Sequence, residues 1–445
     1  MKPFYRWVNN RLLPEEVSKS SSPQDISSTA HQQQDISAGA HVVALSLTKA
    51  GDALADVKLM LPWLLNSLGA PVWFIGWLVP LRESLALLPQ LIFAHWIEGF
   101  PLRKGLWSFG SVIQGLAIFL MGCVSLTNVK GETAGWIILG LLTLFSLARC
   151  LCSIVIKDVQ GKTIDKQRRG SVSGVATSVA GIGGIAFAAA LILGWLSESN
   201  QMAVSIVLMV AGILWLLAAV HYYAVPEEPD VAEEKNTNGG LLHPLTQLLK
   251  DRHLVKFLVT RSLFISTALV APFYVILANQ YSAGSVTTLG VLILLTGLAN
   301  LLSGRFWGLL SDISSRRVLM ITGTLCGVLA LGVNAGLHWQ LPYATSPWWD
   351  GAVIFVLYIG HAGVRLGRTT YLMDMANAGN RAKMVALSNT IIGIVLLAAG
   401  SAFALLGNSS VELAILVLGI TSLLAALMAW RLPEVSCADS KTKAS

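Results

Sequence analysis

Gly308-Leu309-Leu310-Ser311-Asp312-Ile313-Ser314-Ser315-Arg316-Arg317 lies between two apolar blocks, 286–309 and 318–338. Each block is long enough for a helix to cross about 30 Å of hydrocarbon. The stretch between them is a tight charged turn: one acid, then a basic pair. This alternation of membrane-length block and short polar loop recurs along the chain. Ten further blocks follow the same rule, at 42–68, 72–95, 106–127, 134–156, 172–196, 201–224, 254–279, 349–372, 384–407 and 410–431. The expected fold is therefore all-α and polytopic, with twelve transmembrane helices.

Composition agrees. Hydrophobic residues make up 54% of the 445 and charged residues 12%, about half the charged share of a soluble domain. Lipid accepts such a chain, whereas a water-facing surface does not. The net charge of +7 does not point to nucleic acid, because the basic residues fall in loops. The even-numbered loops hold Arg103 and Lys104, then Lys157, Lys162, Lys166, Arg168 and Arg169, then Lys235, Lys250 and Arg252, later Arg316 and Arg317, and Arg381 and Lys383; the odd-numbered loops hold only Lys130. By the positive-inside rule the even loops and both termini face the cytoplasm of an inner-membrane protein. Residues 1–41 lack an apolar signal core and read as a disordered tail. Residues 42–224 and 253–431 form two six-helix halves, 225–252 a solvated acidic linker and 432–445 a tail. The five cysteines show no metal spacing, and no cofactor is expected.

The halves repeat. Gly76 precedes Glu98 by the same interval as Gly290 precedes Asp312, and Arg149 precedes Asp158 as Arg365 precedes Asp374. The offset between the copies is near 215 residues. On these residues a resemblance can be stated. Gly308 to Arg317 resembles the cytoplasmic loop signature of the major facilitator superfamily, and Glu98, Arg103 and Lys104 form a degraded first copy. The resemblance implies two pseudo-symmetric bundles around a central cavity. It also implies a cytoplasmic gate drawn from Glu98, Arg103, Lys104, Asp158, Gly308, Asp312, Arg316, Arg317 and Asp374, in which Asp312 and Arg316 latch the halves. The fifth span reads Gly181-Ile-Gly183-Gly184 without the proline that drug–proton antiporters of this superfamily often carry.

Charge inside the blocks supplies the candidate site. An ion at mid-bilayer costs at least about 2.5–3.5 kcal/mol unless it faces protein or water. The first span nevertheless holds Lys49, Asp52, Asp56 and Lys58, with Asp52 and Asp56 on one helical face and Lys49 spaced to pair with Asp52. Arg82 and Glu83 lie in the second span, Arg149 in the fourth, Arg261 in the seventh, and His361 and Arg365 in the tenth. Asp52, Asp56, Lys58, Arg82, Glu83, Arg149, His361 and Arg365 are the expected substrate or proton-coupling residues. Asp52, Asp56 and Glu83 are the candidate proton carriers. Basic groups outnumber acids, which favours an anionic or zwitterionic solute. The chain thus reads as a monomeric secondary transporter of a small solute, in contact with lipid, with proton coupling an open option. A drug–proton antiporter is the alternative, and a channel or non-transporting receptor the alternative of another class. There is no HExxH motif, nucleophile elbow or phosphate-binding glycine loop, so an enzyme is not expected.

Overall fold

The computed structural model describes residues 1–13, 26–97, 99–194, 200–229, 250–281, 286–339, 347–376 and 381–435. Among them there is helix and no strand. The expected linker and final tail lie largely outside these residues, as does Glu98.

Nine helical segments among the described residues are long and apolar enough to cross a membrane. They are the third to ninth, eleventh and twelfth spans. The first, second and tenth complete the twelve: the first two are built from shorter helices, and the tenth carries His361, Arg365 and Arg368 in its apolar stretch. The first span runs Gln34–Leu54, breaks, and resumes at Met60–Ser67. The seventh runs Arg252–Leu263, Ser266–Leu269 and Ala271–Tyr281. Proline accounts for the first break and for the second interruption of the seventh span. Pro62 and Pro272 each lack an N–H and crowd the carbonyl one turn back, at Lys58 and Ala268, so the ladder opens at residues 55–59 and at Val270. The earlier interruption, at Phe264 and Ile265, lies too far upstream for Pro272 to cause it. The second span is Val72–Leu87 with Gln90–Ile97, the third Lys104–Ser125 and the fourth Gly131–Thr163. The fifth is Lys166–Ile192 and the sixth Asn200–Tyr223. The eighth and ninth run Val286–His338 through a kink at Ser314, the tenth is Pro347–Met375, the eleventh Arg381–Ser409 and the twelfth Val411–Trp430.

The start of the chain differs from expectation. Lys2–Leu12 is a helix that buries Tyr5, Val8 and Asn9, and the first span begins at Gln34 rather than 42. Residues 14–25 of the expected tail lie outside the described set. Gly39 allows the docking, since a β-carbon there would sit 2.1 Å from Tyr5 O. Tyr5 Oη meets His221 Nδ1 at 2.9 Å, and buried Asn9 joins Arg168 and Asp35. The expected loop from Lys157 is also mostly helix, the end of the fourth span.

The third span packs on the sixth, the first on the fifth and sixth, and the second on the fourth; the ninth packs on the tenth and twelfth. The halves meet through the second span against the eleventh and the fifth against the eighth. These two contacts exchange under the six-helix repeat, which places a pseudo-two-fold axis between the halves. We call the end carrying Arg103 and Arg316 the basic end and the other the distal end. At the distal end the mates touch: Asn66 Nδ2 donates to Asn279 Oδ1 at 2.5 Å, 213 positions apart. A β-carbon at Gly76 would lie 2.5 Å from Ala404 Cα, and one at Gly290 would lie 2.9 Å from Ile192 Cγ1.

The fifth and eighth spans then diverge. Descending one antiparallel register, a β-carbon at Gly290 would be 2.9 Å from Ile192 and one at Gly297 would be 3.6 Å from Ile185, while Gly304 and Gly308 face nothing within 4 Å. Their register partners Ser178 and Gly174 are also open on that side, and Ser178 is exposed. The molecule is sealed at the distal end and parted between these two spans at the basic end.

Candidate functional site

Asp52 stands on the last turn before the break in the first span. Both its oxygens accept from the Arg149 guanidinium, at 2.9 and 2.5 Å, and Arg82 approaches at 3.4 Å. Arg82 also reaches its neighbour Glu83 at 3.5 Å. Glu83 is in turn within electrostatic reach of Lys58, Arg149 and Arg368. The first, second and fourth spans thus bring the expected cluster together. The expected Lys49–Asp52 pair does not form. Lys49 Nζ instead turns to the fifth span, donating to Ser173 O at 3.1 Å and to Thr177 Oγ1.

Asp56 does not share a face with Asp52, because the helix ends at Leu54. It lies in the break, accepts the Lys58 N–H at 2.7 Å, and accepts from Tyr358 Oη of the tenth span at 3.1 Å. Lys58 Nζ meets His361 Nε2 at 2.7 Å, and His361 Nδ1 meets Thr267 Oγ1 at 3.1 Å. Two residues of the broken first span therefore reach across to the other half. Tyr358 and Thr267 were not picked out in the sequence, although Tyr358 sits one turn before His361.

Arg365 is exposed on the open side, and its guanidinium has no hydrogen bond or ion pair among the described residues. It is within electrostatic reach of Lys49, Lys58 and His361. The repeat explains its vacancy. Its mate Arg149 is neutralised by Asp52, but the position matching Asp52 in the second half is Ser266. Arg261 is buried and bridges to Ser388 and to Asn389, the latter at 3.1 Å, within its own half.

Of the expected gate residues, Arg103, Lys104, Asp158 and Arg316 bond within their own halves. Arg103 meets Asp158 at 2.5 Å, and Lys162 spans Asp158 and Glu227 at 3.1 and 3.6 Å. Glu227 is buried and not solvated as the linker reading implied. It accepts the N–H groups of Arg103 and Lys104 at the start of the third span, at 3.0 and 2.7 Å, where a helix terminus favours an anion. Arg316 pairs with Glu434 at 3.3 Å and donates to Leu432 O at 3.1 Å. Asp312 and Arg317 are exposed, with no ion pair among the described residues, so no Asp312–Arg316 latch is made in this conformation. Gly308 faces open space, and Asp374 lies on the last turn of the tenth span.

No protein-family model and no curated protein sequence matches the chain. Solved structures do. A point variant of the nucleoside transporter NupG superposes with a TM-score of 0.68 at 12% identity, covering 88% of this chain and 98% of that one. The D-xylose-proton symporter gives 0.66 at 13%, covering 90% and 98%. The POT family transporter PepTSo gives 0.64 at 11%, covering 88% and 96%. The chain has the major facilitator fold. That result agrees with the loop resemblance and with the six-helix repeat read from Gly76 and Gly290.

Proposed function

We infer that the chain is a secondary active transporter that carries a small solute with an anionic group by alternating access. One observation carries this reading: an ionic cluster with a basic surplus is enclosed where two half-molecules meet, sealed at one end and parted at the other. Lys49, Lys58, Arg82, Arg149, Arg365 and Arg368 stand against Asp52, Asp56 and Glu83. Arg365 faces the open side uncompensated, where a carboxylate or phosphate can pair with it bidentately. The solved structures of like fold are named as transporters, two of them for nucleoside and for xylose with protons. By the positive-inside rule we take the parted end, which carries the basic loops, to be the cytoplasmic one of an inner membrane, and this conformation is read as facing inward. Glu98, Asp312, Arg317 and Asp374 are proposed to join the gate when that end closes.

The test is thermal stabilisation of the purified chain across panels of carboxylates, phosphates, zwitterions and organic cations. Uptake of any hit into energised proteoliposomes follows. Anionic hits that lose at least about tenfold affinity in Arg365→Gln support the reading, the loss expected for one charge-assisted contact. Tight binding of an organic cation, abolished in Asp52→Asn, would overturn the anionic assignment. Binding without uptake, or conduction without saturation, would overturn the carrier.

A further inference from the structure

Lys58 and His361 touch across the halves in a way that fixes every proton between them. An ammonium only donates, so His361 Nε2, 2.7 Å from Lys58 Nζ, is the acceptor. The ring proton then sits on Nδ1, facing Thr267 Oγ1 at 3.1 Å. Thr267 is free to accept it, because its own hydroxyl donates to Phe264 O at 2.9 Å. That carbonyl is available because the seventh span breaks after Leu263. The chain Lys58, His361, Thr267, Phe264 is complete with a neutral imidazole. A further proton can enter only at Nε2, by displacing Lys58.

We propose that the Lys58–His361 pair is the binding site of a coupling proton, and that filling it releases the distal seal; this rests on the carrier reading above. The step balances simply. A proton from water takes the Nε2 lone pair, the Nζ–H···Nε2 bond is lost, and two cations are left in contact. They separate, and Lys58 has Asp56 and Glu83 within electrostatic reach to receive it. Along the first span Lys58 stands between Asp52 and Asn66. The bond is therefore the inner course of the seal whose outer course is Asn66 with Asn279. Breaking it favours the state open at the distal end.

The charged groups around the pair tie the proton to the solute. His361 is faced by Lys58 from the first span and by Arg365 and Arg368 from its own helix, all cationic; Thr267 of the seventh is neutral. Lys58 is faced by Asp56, Glu83, Arg82 and Arg365. A solute anion seated among these cations favours the arrival of the proton, so solute and proton bind together. The three carboxylates are poorer proton carriers. Asp52 is held by two arginines, Glu83 pairs with Arg82, and Asp56 accepts from Tyr358 and from the Lys58 N–H, so protonating any of the three forfeits a charge-assisted contact.

The test needs no known solute. Asn128 and Asn408 are exposed at the distal end, one in each half. Spin labels on non-canonical residues at both positions report their separation in nanodiscs. Across a sweep from about pH 8 to about pH 4, carried past the window of an ordinary histidine because Lys58, Arg365 and Arg368 all oppose the added proton, the wild-type population at the longer distance should rise severalfold. In His361→Gln the amide oxygen still accepts from Lys58 but takes no proton, so the short distance should persist at both pH values. Lys58→Gln can pair with either form of His361 and should be equally flat. Melting curves check that both variants are folded. A His361→Gln chain that opens with acid as the wild type does would overturn the proton site while leaving alternating access standing. A wild type whose distances ignore pH would overturn it too, and solute uptake would then judge the carrier reading separately.

Discussion

Asp52 is the hinge of the residue-scale chemistry, because two guanidinium groups depend on it. Removing one partner of a fully buried ion pair costs about 3–5 kcal/mol. Here Asp52 and Arg149 retain 20% and 32% exposure, so screening reduces the expected loss to about 2 kcal/mol. Asp52→Asn should therefore lower the melting temperature clearly. Asp52→Asn with Arg149→Gln should recover part of the loss, since the second change removes the stranded cation; the double-mutant cycle measures the coupling. Tyr358→Phe deletes one hydrogen bond to a carboxylate and should cost about 1.5–3 kcal/mol at most. The same cycle with Asp56→Asn checks it, because the two changes should not add. A sum that is fully additive would mean that Tyr358 and Asp56 do not bond.

At the scale of the element, two helices depart from what their apolar length promises. The first span breaks where Pro62 forbids a continuous ladder, the seventh is interrupted at Phe264 and again ahead of Pro272, and the freed backbone carries Asp56, Lys58 and the Phe264 carbonyl to the site. The apolar blocks were legible in the sequence because lipid forces every span to be long and to satisfy its own backbone. The repeat was legible because Gly76 and Gly290 do the same job at matched helix crossings. The docked helix Lys2–Leu12 was not, since its partners His221 and Arg168 are far away in sequence and its short amphipathic pattern is followed by a Ser/Gln-rich stretch that reads as a tail. Nor was the turn of Lys49 toward the fifth span, where spacing alone favoured Asp52. The docking is testable through Gly39. A side chain there meets backbone atoms of Tyr5, which cannot rotate away. Gly39→Val should expel the helix, raising amide hydrogen exchange at residues 2–12 at least about tenfold, the change expected for a local opening eased by about 1.4 kcal/mol. The melting temperature should move much less. Unchanged exchange would show that the helix tolerates the bulk and is held by other contacts.

For the whole molecule, the two ends should behave as opposites, because rigid halves that rock about one axis cannot open at both ends together. Asn66 and Asn279 already touch at the distal end, while Ser178 and Gly304 occupy matched register positions on helices that have parted. Cysteines at Asn66 and Asn279 should therefore cross-link readily and trap the conformation described here. In that trapped chain a membrane-impermeant thiol reagent applied from the basic side should reach a cysteine at Ser178, and uptake should fall to background until a reductant is added. Cysteines at Ser178 and Gly304 should show the reverse. Their bond forms only after the fifth and eighth spans close, and forming it should part Asn66 from Asn279. The two cross-links should thus exclude each other within one molecule. A chain in which both form at once, with transport intact, would mean that the halves do not move against each other, and the ionic cluster between them would then need a static explanation.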